Sequence, residues 1–281
     1  MKVVSSIKEV RDVVKEWRKE GLTIGFVPTM GYLHEGHKSL IDNAVKENDR
    51  VIVSIFVNPT QFGPNEDLES YPRDLERDSM LCSDSGVSIV FTPEKEEMYP
   101  EGFSTSVNMT GLTENLCGKS RPVHFGGVCT VVSKLFNIVT PDKAYFGQKD
   151  AQQLAIIKRM VNDLNLDVEV IGCTIIREDD GLAKSSRNTY LSEEERKAAV
   201  ILNKSLKLGL ETIVGGERNS KNVIDLIKKN LNSEELAKID YVQIVDLLSI
   251  KDVETIEKSV LVAIAVYIGK TRLIDNFIYE I

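Results

Sequence analysis

The sequence predicts an α/β protein in which a parallel sheet, covered by helices on both faces, precedes a smaller α+β domain. Short apolar, β-branched runs alternate with longer amphipathic runs up to about residue 176, the pattern of strands joined by crossover helices. Beyond that point the alternation stops. The chain has 281 residues, enough for two modest domains with separate cores. We therefore expect one domain over residues 1–175 and another over 176–281.

In the first domain, each predicted element corresponds to one such run. The first twenty residues are charged throughout and are expected to form an amphipathic helix, not a signal peptide. Strands are predicted at 22–28, 50–57, 87–92, 143–147 and 168–176, and helices at 37–48, 72–85, 125–139 and 150–164. Ligands bind beyond the carboxyl ends of the strands in such sheets. The loops after these strands are therefore where a site is expected.

The second domain begins after a loop near 176–190. Ser192 and Glu195 stand at capping-box spacing, so a helix is expected to start there. A second helix near 219–231 and strands near 238–245, 260–268 and 272–279 follow without a βαβ rhythm. This order predicts an α+β arrangement.

Charge and composition limit the classes of partner that this protein is expected to bind. The net charge of −8 argues against a nucleic-acid partner, although it leaves room for a local basic pocket that binds a small anion. The most apolar stretch, 260–269, is far too short to span a bilayer, so no membrane partner is expected. The four cysteines show no CxxC spacing. They are expected to be free thiols in a reducing cytoplasm.

The segment PTMGYLHEGH, residues 28–37, joins the first predicted strand to a predicted helix. Exposed N–H groups and the helix dipole favour an anion there. His34 and His37 are three residues apart and can face the same side, while Gly31 and Gly36 would let a phosphate approach the backbone. Two capping or surface histidines remain an equally simple interpretation. A zinc site is less favoured, because the sequence nearby has no third histidine and no acidic or cysteine cluster.

Polar groups follow two further predicted strands. Asn58 and Gln61 bring amides that suit hydroxyl and carboxylate recognition, although a Pro/Gly-rich surface loop also explains that segment. Lys149, Asp150 and Gln153 stand at the next helix start. A lysine is unfavourable beside the positive end of a helix, which is easier to understand if it serves a bound anion.

Two loops add cations to this pattern. Arg121 and His124 precede a Gly-Gly pair at the start of a helix, which predicts either an anion-facing helix start or a hinge. The loop at 177–192 combines cations and hydroxyls that suit a triphosphate, unless it is a solvated linker: Arg177, Lys184, Ser185, Ser186 and Arg187. The shared placement of all these groups after strands favours a site for a phosphorylated ligand.

Six segments occur in the order and spacing of the pantothenate synthetase (pantoate–β-alanine ligase) family, which the sequence resembles densely from residue 24 to 192 and more weakly beyond. They are PTMGYLHEGH, VNPTQF, YPR, RPVHFGGV, FGQKDAQQ and SSRNTYLS. HEGH resembles the HxGH signature of the wider nucleotidyltransferase superfamily, which alone indicates nucleoside triphosphate binding. VNPTQF and FGQKDAQQ make the resemblance specific.

The resemblance implies a Rossmann-like N-terminal domain, a C-terminal lid domain, a homodimer and a reaction in two steps. With Mg²⁺, ATP and (R)-pantoate would give an enzyme-bound pantoyl adenylate and pyrophosphate. The amine of β-alanine would then release AMP and form pantothenate, a precursor of coenzyme A. The expected partners are therefore these three small molecules.

The resemblance also implies roles for individual residues. ATP would be bound by Pro28, Thr29, Met30, Gly31, His34, His37, Gly147, Gln148, Lys149, Asp150, Ile176, Lys184, Ser185, Ser186 and Arg187. The catalytic members of that set would be His34, His37, Lys149, Ser185, Ser186 and Arg187. Pantoate would be bound by Met30, Asn58, Gln61, Tyr71, Arg121 and Gln153, with Gln61 also binding β-alanine and Asp78 associated with Mg²⁺.

One residue departs from the family pattern, in which a methionine commonly stands where this chain has Lys184. The change makes the loop similar to the lysine-bearing signature of class I aminoacyl-tRNA synthetases, but the acidic chain shows no anticodon-binding region. Lys184 either adds a phosphate contact or faces solvent. Two other functions stay open: an HxGH nucleotidyltransferase acting on a small phosphorylated metabolite, and a non-catalytic nucleotide sensor.

Overall fold

The computed structural model describes residues 1–64 and 66–281. The chain divides into two compact units. The first comprises Met1–Met109, Arg121–Gln148 and Ile156–Thr174, and the second comprises Thr110–Ser120, Lys149–Ala155 and Ile175–Ile281. The domain boundary at residue 175 is kept as a prediction.

Most helices and strands lie within a few residues of their predicted positions. The strands are β1 (Lys2–Val4), β2 (Ile24–Thr29), β3 (Arg50–Ile55), β4 (Ile89–Phe91), β5 (Lys143–Gly147), β6 (Glu169–Cys173), β7 (Ala237–Asp246), β8 (Val260–Ile268) and β9 (Thr271–Tyr279). The α-helices are α1 (Ile7–Lys19), α2 (Glu35–Glu47), α3 (Leu75–Asp84), α4 (Lys95–Met98), α5 (Leu116–Ser120), α6 (His124–Val139), α7 (Ala151–Asp163), α8 (Glu193–Ala198), α9 (Ile201–Val214) and α10 (Ser220–Leu231). Short 3-10 turns cover Pro59–Gln61, Gln148–Asp150 and Ser186–Tyr190.

The first unit contains a parallel sheet in the order β1-β4-β3-β2-β5-β6. From β2 the chain moves outward through β3 and β4 on one side, and β5 and β6 lie on the other. The order therefore reverses beside β2, and the carboxyl end of β2 is a topological switch point, where sheets of this kind bind ligands. The predicted fold class, a Rossmann-like α/β domain with a smaller α+β domain, is confirmed.

Burial explains why β2 and β3 form the centre of this sheet. Four consecutive residues of β2, Ile24 to Val27, are buried, and so are Val51 to Ser54 of β3. A strand covered on both faces has apolar residues in succession, without alternation. The helices that cover the sheet bury residues such as Ile41 and Phe136.

The second unit is built on an antiparallel sheet in the order β7-β8-β9. Its central strand, β8, is the apolar stretch at 260–268, buried at nearly every residue against a core that includes Leu202 and Ile227. That stretch is hydrophobic because it is a central strand. Over the residues that the structure describes, no helix is long and apolar enough to cross a membrane.

The short helices α4 and α5 lie where no helix was predicted, and three predicted segments differ in the structure. The N-terminal helix is present as α1, but the residues before it form β1, too short a strand to show a periodic pattern. The strand predicted to reach residue 176 ends at Cys173, because β6 is an edge strand with little buried surface. The helix that starts after Ser192 is divided into α8 and α9, although its capping box is formed as predicted.

Candidate active site

The turn after β2 has a backbone that only certain residues tolerate. Gly31 has φ +85°, and a Cβ added there would lie 2.9 Å from Ile55 Cγ2 and 3.1 Å from Asp78 Oδ2. Thr29 closes the turn, since its Oγ1 accepts from the Gly31 N–H at 3.1 Å and donates to the Ser54 carbonyl at 2.8 Å. Gly31 is therefore needed for both conformation and space.

His34 and His37 lie at the first turn of α2, and each uses its Nδ1 atom on the backbone. His34 is the N-cap, and its Nδ1 accepts from the Gly36 N–H at 3.1 Å. His37 Nδ1 accepts from the His34 N–H at 3.3 Å. The two rings are 4.1 Å apart between centroids. In a neutral imidazole whose Nδ1 accepts, the proton is on Nε2, so both Nε2 atoms are assigned as donors.

Asp78, on α3, holds the turn that leads to these histidines. Its Oδ2 accepts from the Tyr32 N–H and its Oδ1 from the Leu33 N–H, both at 2.7 Å. The residue is 1% exposed. Burial raises the pKa of Asp78 above its usual value, although the hydrogen bonds from Leu33 and Tyr32 oppose that shift. The carboxylate is thus directed at main-chain donors of its own unit.

These contacts do not favour Asp78 as a magnesium ligand. Both of its oxygens already accept short hydrogen bonds from N–H groups, and Mg²⁺ needs accessible oxygens with near-octahedral geometry. Among residues 1–64 and 66–281, no cluster of three or more histidine, cysteine, aspartate or glutamate side chains could hold a metal ion. The magnesium role of Asp78 therefore remains a prediction from the resemblance alone.

Replacing Asp78 with alanine is expected to lower the free energy of unfolding by about 2 kcal/mol or more, because two N–H groups lose their acceptor. Urea denaturation measures this change. Asp74→Ala is the matched control: Asp74 is the exposed N-cap of the same helix and accepts from the Arg77 N–H, so its loss should cost about 1 kcal/mol. Equal losses for the two variants would contradict the role assigned to Asp78.

Asn58 and Gln61 form one amide network after β3. Asn58 Nδ2 donates to Gln61 Oε1 and to the Gly127 carbonyl, both at 3.2 Å, while its Oδ1 accepts from the Tyr99 hydroxyl at 2.7 Å. Gln61 Nε2 lies 3.0 Å from Met30 Sδ. Asn58 is 1% exposed and uses both ends of its amide on protein groups. The hydrogen bond from Asn58 Nδ2 holds the Gln61 side-chain amide in its orientation.

Arg121 and His124 anchor the same turn from the other side. The Arg121 guanidinium forms a two-point ion pair with Glu66, with 2.7 Å between Nη2 and Oε2. Burial alone would raise the pKa of Glu66, but hydrogen bonds from Arg121 and Gly63 outweigh it and hold that pKa below its usual value. His124 Nδ1 lies 3.0 Å from the Gln61 carbonyl and must be the donor, because a carbonyl only accepts. Tyr71 is buried edge-on to Phe62.

The Gly-Gly pair of this segment, Gly126 and Gly127, lies in the first turn of α6. A Cβ at Gly127 would lie 2.4 Å from the Thr60 carbonyl oxygen and 2.6 Å from Gln61 Cα. At Gly126 it would meet only the end of the Asn108 side chain, at 2.7 Å. Gly127 therefore permits the close approach of α6 to the Gln61 turn.

Other residues of the predicted ATP site lie at strand ends of the first unit. Pro28 and Thr29 are the last residues of β2, half-buried and paired with Ser54 and Ile55. Gly147 ends β5, and a Cβ there would meet nothing within 4 Å. The space beside Gly147 leaves the backbone accessible to a ligand.

The remaining predicted residues belong to the second unit. Lys149 and Asp150 form part of a 3-10 turn before α7, with 3.6 Å between Lys149 Nζ and Asp150 Oδ2, and Gln153 follows in the first turn of α7. Lys149 is thus placed just before the helix, close to its prediction. Its nearby carboxylate partner only partly offsets the charge, because that carboxylate is half exposed.

The loop at 177–190 begins as a short hairpin. Arg177 pairs with Ala183 in an isolated bridge, and the Lys184 N–H donates to the Ile176 carbonyl at 2.9 Å. Ser185 then caps the turn Ser186–Tyr190, with its Oγ accepting from the Arg187 N–H at 3.3 Å. The hairpin therefore carries Lys184 and the two serines on an ordered backbone, which argues against a solvated linker.

Two residues that support the Gln61 turn are absent from the sequence prediction. Tyr99 reaches Asn58 across 41 positions, and Glu66 reaches Arg121 across 55. Neither residue stands in a motif or at a predicted strand end. Pairs this far apart show no local pattern, so only the folded chain reveals them.

Comparisons with known proteins agree on one family. A sequence model described as pantoate-beta-alanine ligase matches residues 2–278. A pantothenate synthetase of Enterococcus faecalis (strain ATCC 700802 / V583) is 67% identical over 281 residues, covering 100% of both chains. The structure of a pantothenate synthetase from Thermus thermophilus has a TM-score of 0.94 at 44% identity and covers 99% of each chain. A pantoate-beta-alanine ligase from Francisella tularensis, complexed with beta-gamma ATP and beta-alanine, has a TM-score of 0.80 at 37% identity, covering 99% of this chain and 97% of its own.

Proposed function

This chain belongs to the pantoate–β-alanine ligase family, and from that premise we propose how its residues carry out the family's reaction. The protein is an ATP-dependent ligase that condenses pantoate with β-alanine to pantothenate. Membership excludes the two other functions that the HxGH signature left open. The assignment of individual residues, the metal and the assembly are our proposal.

Two displacements make up the proposed reaction. A pantoate carboxylate oxygen attacks the α-phosphorus of ATP, and pyrophosphate leaves with the electron pair of the broken P–O bond. The β-alanine amine then attacks the acyl carbon of pantoyl adenylate and loses a proton, while AMP leaves. Direct amide formation from a carboxylate has a poor leaving group, and AMP is a better one. The protein's task is therefore alignment and stabilisation of phosphate charge.

The observation that carries the proposal is the arrangement of His34 and His37. Because each Nδ1 accepts a backbone N–H, each Nε2 holds a proton and can donate to a phosphate oxygen. These donors stand at a helix start, where the dipole also favours negative charge. We assign them to the ATP phosphates, and Pro28, Thr29, Met30, Gly31, Gly147 and Gln148 to further ATP contacts.

In the second unit, the cations and hydroxyls are assigned to the nucleotide. Lys149, Ser185, Ser186 and Arg187 would stabilise the charge that builds up on the phosphates. Asp150 and Ile176 would contact the nucleoside, with Ile176 acting through its backbone. Lys184 stands next to Ser185 and is also assigned to ATP. A contact between its amine and a phosphate would be an interaction that the family's usual methionine does not make.

Pantoate is assigned to Gln61 and Gln153, and β-alanine to Gln61. Asn58 Nδ2 donates to the Gln61 side-chain amide, and His124 Nδ1 donates to the Gln61 main-chain carbonyl, so the orientation of Gln61 is set before substrate arrives. We assign Asn58 the role of orienting Gln61, because its amide is fully engaged with protein. Met30, which contacts Gln61, and Tyr71 and Arg121 complete the proposed pantoate site.

We further propose that Mg²⁺ arrives with ATP, held by phosphate oxygens and water, since Mg²⁺ commonly keeps several waters and few protein ligands.

The homodimer also remains a proposal, drawn from the family resemblance. The cytoplasmic location is proposed because the four cysteines are buried and free. Such thiols are expected in a reducing compartment.

Exchange of labelled pyrophosphate into ATP tests the proposed sequence of steps. We expect exchange that requires pantoate and does not require β-alanine, because adenylation precedes amide formation. Omission of pantoate is the control. Exchange that appears only when β-alanine is added would contradict the adenylate route.

Gln61→Ala and Gln153→Ala are each expected to raise the pantoate dissociation constant by about tenfold or more, since each removes a hydrogen bond to a substrate that becomes buried. Calorimetric titration measures this change directly. Gln152→Ala is a useful comparison, because the neighbouring Gln152 side chain donates to the Leu112 and Asn115 carbonyls of the protein. Unchanged pantoate affinity in both Gln61 and Gln153 variants would remove these residues from the site.

A further inference from the structure

Strand β9 contains two consecutive polar residues, Asp275 and Asn276, which are not among the predicted site residues. They are 2% and 4% exposed, and they interrupt the alternation of buried and half-buried residues along the strand. Successive side chains of a strand point to opposite faces, so the two reach different segments. Buried polar groups persist where they are hydrogen-bonded, and their partners are therefore informative.

Asn276 holds the backbone at Lys149. Its Nδ2 donates to the Lys149 carbonyl at 2.8 Å, across 127 positions of sequence. Lys149 lies in the three-residue 3-10 turn before α7. The bond from β9 therefore determines where the Lys149 side chain starts.

Asp275 holds the start of the loop that carries the two serines. Arg177 Nη1 and Nη2 donate to the two carboxylate oxygens at 2.7 and 3.0 Å, and Arg177 Nη1 also donates to the Gly181 carbonyl at 3.1 Å. A two-point pair of this kind fixes direction as well as distance. It braces the hairpin that leads into Ser185.

The same strand also lies against the turn Ser186–Tyr190. One strand of the second unit thus contacts three segments: the Lys149 turn, the Arg177 hairpin and the turn that contains Arg187. Each of those segments contributes a group assigned to the nucleotide, and none of them is adjacent to β9 in sequence.

We propose that Asp275 and Asn276 are positioning residues, which set the Lys149 turn and the 177–187 loop for ATP without touching it. This inference rests on the proposed function of those segments. It predicts a selective defect: ATP binding and adenylation weaken, whereas pantoate recognition changes little. A merely structural role would lower stability without that selectivity.

Two nearly isosteric substitutions test the proposal. Asn276→Asp removes the amide donor to the Lys149 carbonyl, and Asp275→Asn removes one acceptor and the charge that pairs with Arg177. In each folded variant we expect the KM for ATP to rise at least tenfold and single-turnover adenylate formation to slow at least tenfold. The KM for pantoate should stay within threefold of wild type. Calorimetry with a non-hydrolysable ATP analogue should show the same loss of affinity without catalysis.

Asp240→Asn is the matched control. Asp240 also forms an ion pair with an arginine of β9, Arg272, at 2.8 Å, and it accepts from the Ser120 hydroxyl, which lies outside the three segments. Its KM for ATP should be unchanged even if its melting temperature falls. Arg177→Lys tests the Asp275 pair from the other side if Asp275→Asn does not fold, and it should raise the KM for ATP in the same way.

An unchanged KM for ATP in folded Asn276→Asp and Arg177→Lys proteins would overturn the inference, as would equal increases for ATP and pantoate. The wild-type exchange assay separates this outcome from a failure of the proposed function. If the wild type shows pantoate-dependent exchange and the variants keep the wild-type KM for ATP, only the positioning role is rejected. No exchange in the wild type rejects the proposed steps themselves.

Discussion

Replacement of His34 or His37 by asparagine is expected to slow pantoyl adenylate formation by roughly 10²–10³-fold, the effect of removing one donor to transition-state charge. Asparagine suits this test because its Oδ1 can take the place of Nδ1 and because, at position 34, asparagine is a good N-cap. The substitution keeps the helix start and removes the Nε2 proton. Rapid-quench measurement of adenylate in single turnover gives the rate.

Glutamine at position 34 provides the complementary variant. Its amide nitrogen can approach the position of Nε2, but it does not reproduce the cap made by Nδ1 on the Gly36 N–H. We expect His34→Gln to be less stable than His34→Asn, by about 1 kcal/mol, and to form adenylate faster. Supplied pantoyl adenylate should still react with β-alanine in every variant, since that step does not involve the β- and γ-phosphates. The opposite ranking, with asparagine active and glutamine inactive, would show that the histidines act only as caps.

Gly127→Ala is expected to lower kcat/KM for pantoate by about 10²-fold, although Gly127 itself presents no side chain to a ligand. The new Cβ would overlap the Thr60 carbonyl oxygen and Gln61 Cα. Both are main-chain atoms, so the turn carrying Gln61 must move. A shift of about 1 Å in a substrate-positioning group can cost that factor, and overpacking should also lower stability by about 1–3 kcal/mol.

Gly126→Ala is the control for this variant. It adds the same methyl group to the same helix turn, but the atom it meets is the end of an exposed asparagine side chain, which can rotate away. Its kinetics should match wild type. Steady-state kinetics and urea unfolding of the two variants provide the comparison, and wild-type kcat/KM in folded Gly127→Ala would show that the close approach does not position Gln61.

Most of the first sheet could be predicted from local pattern. The strand at 143–147 was predicted with the observed bounds, and helix α6 differs by one residue at its start. Such elements have a strong periodic signal over several residues. The three-residue strand β1 has none, and it exists because it pairs with β4. The break between α8 and α9 likewise lies within a stretch whose pattern is helical throughout.

The candidate site shows the same division. The motifs predicted that His34, His37, Gln61 and Lys149 lie beside strand ends. The hydrogen-bonding partners that hold these side chains, however, are seen only in the structure. Asn58 was predicted to bind pantoate, and that role stays a prediction, while the structure adds its amide contacts with Gln61 and Gly127. The magnesium role of Asp78, drawn from the resemblance, stays a prediction, while the structure shows that its carboxylate accepts from the Tyr32 and Leu33 N–H groups.

The sequence by itself determined the fold class, the family and the reaction, because periodicity and short motifs are local patterns. They can be recognised without knowing how the chain packs. Tertiary structure alone decided which groups are held in place, and by what. Asp78 lies 46 positions from Tyr32, Asp275 lies 98 from Arg177, and Asn276 lies 127 from Lys149. Each contact depends on a side chain from one segment coming within hydrogen-bonding distance of a distant segment, and the order of residues along a single chain carries no local signal for that contact.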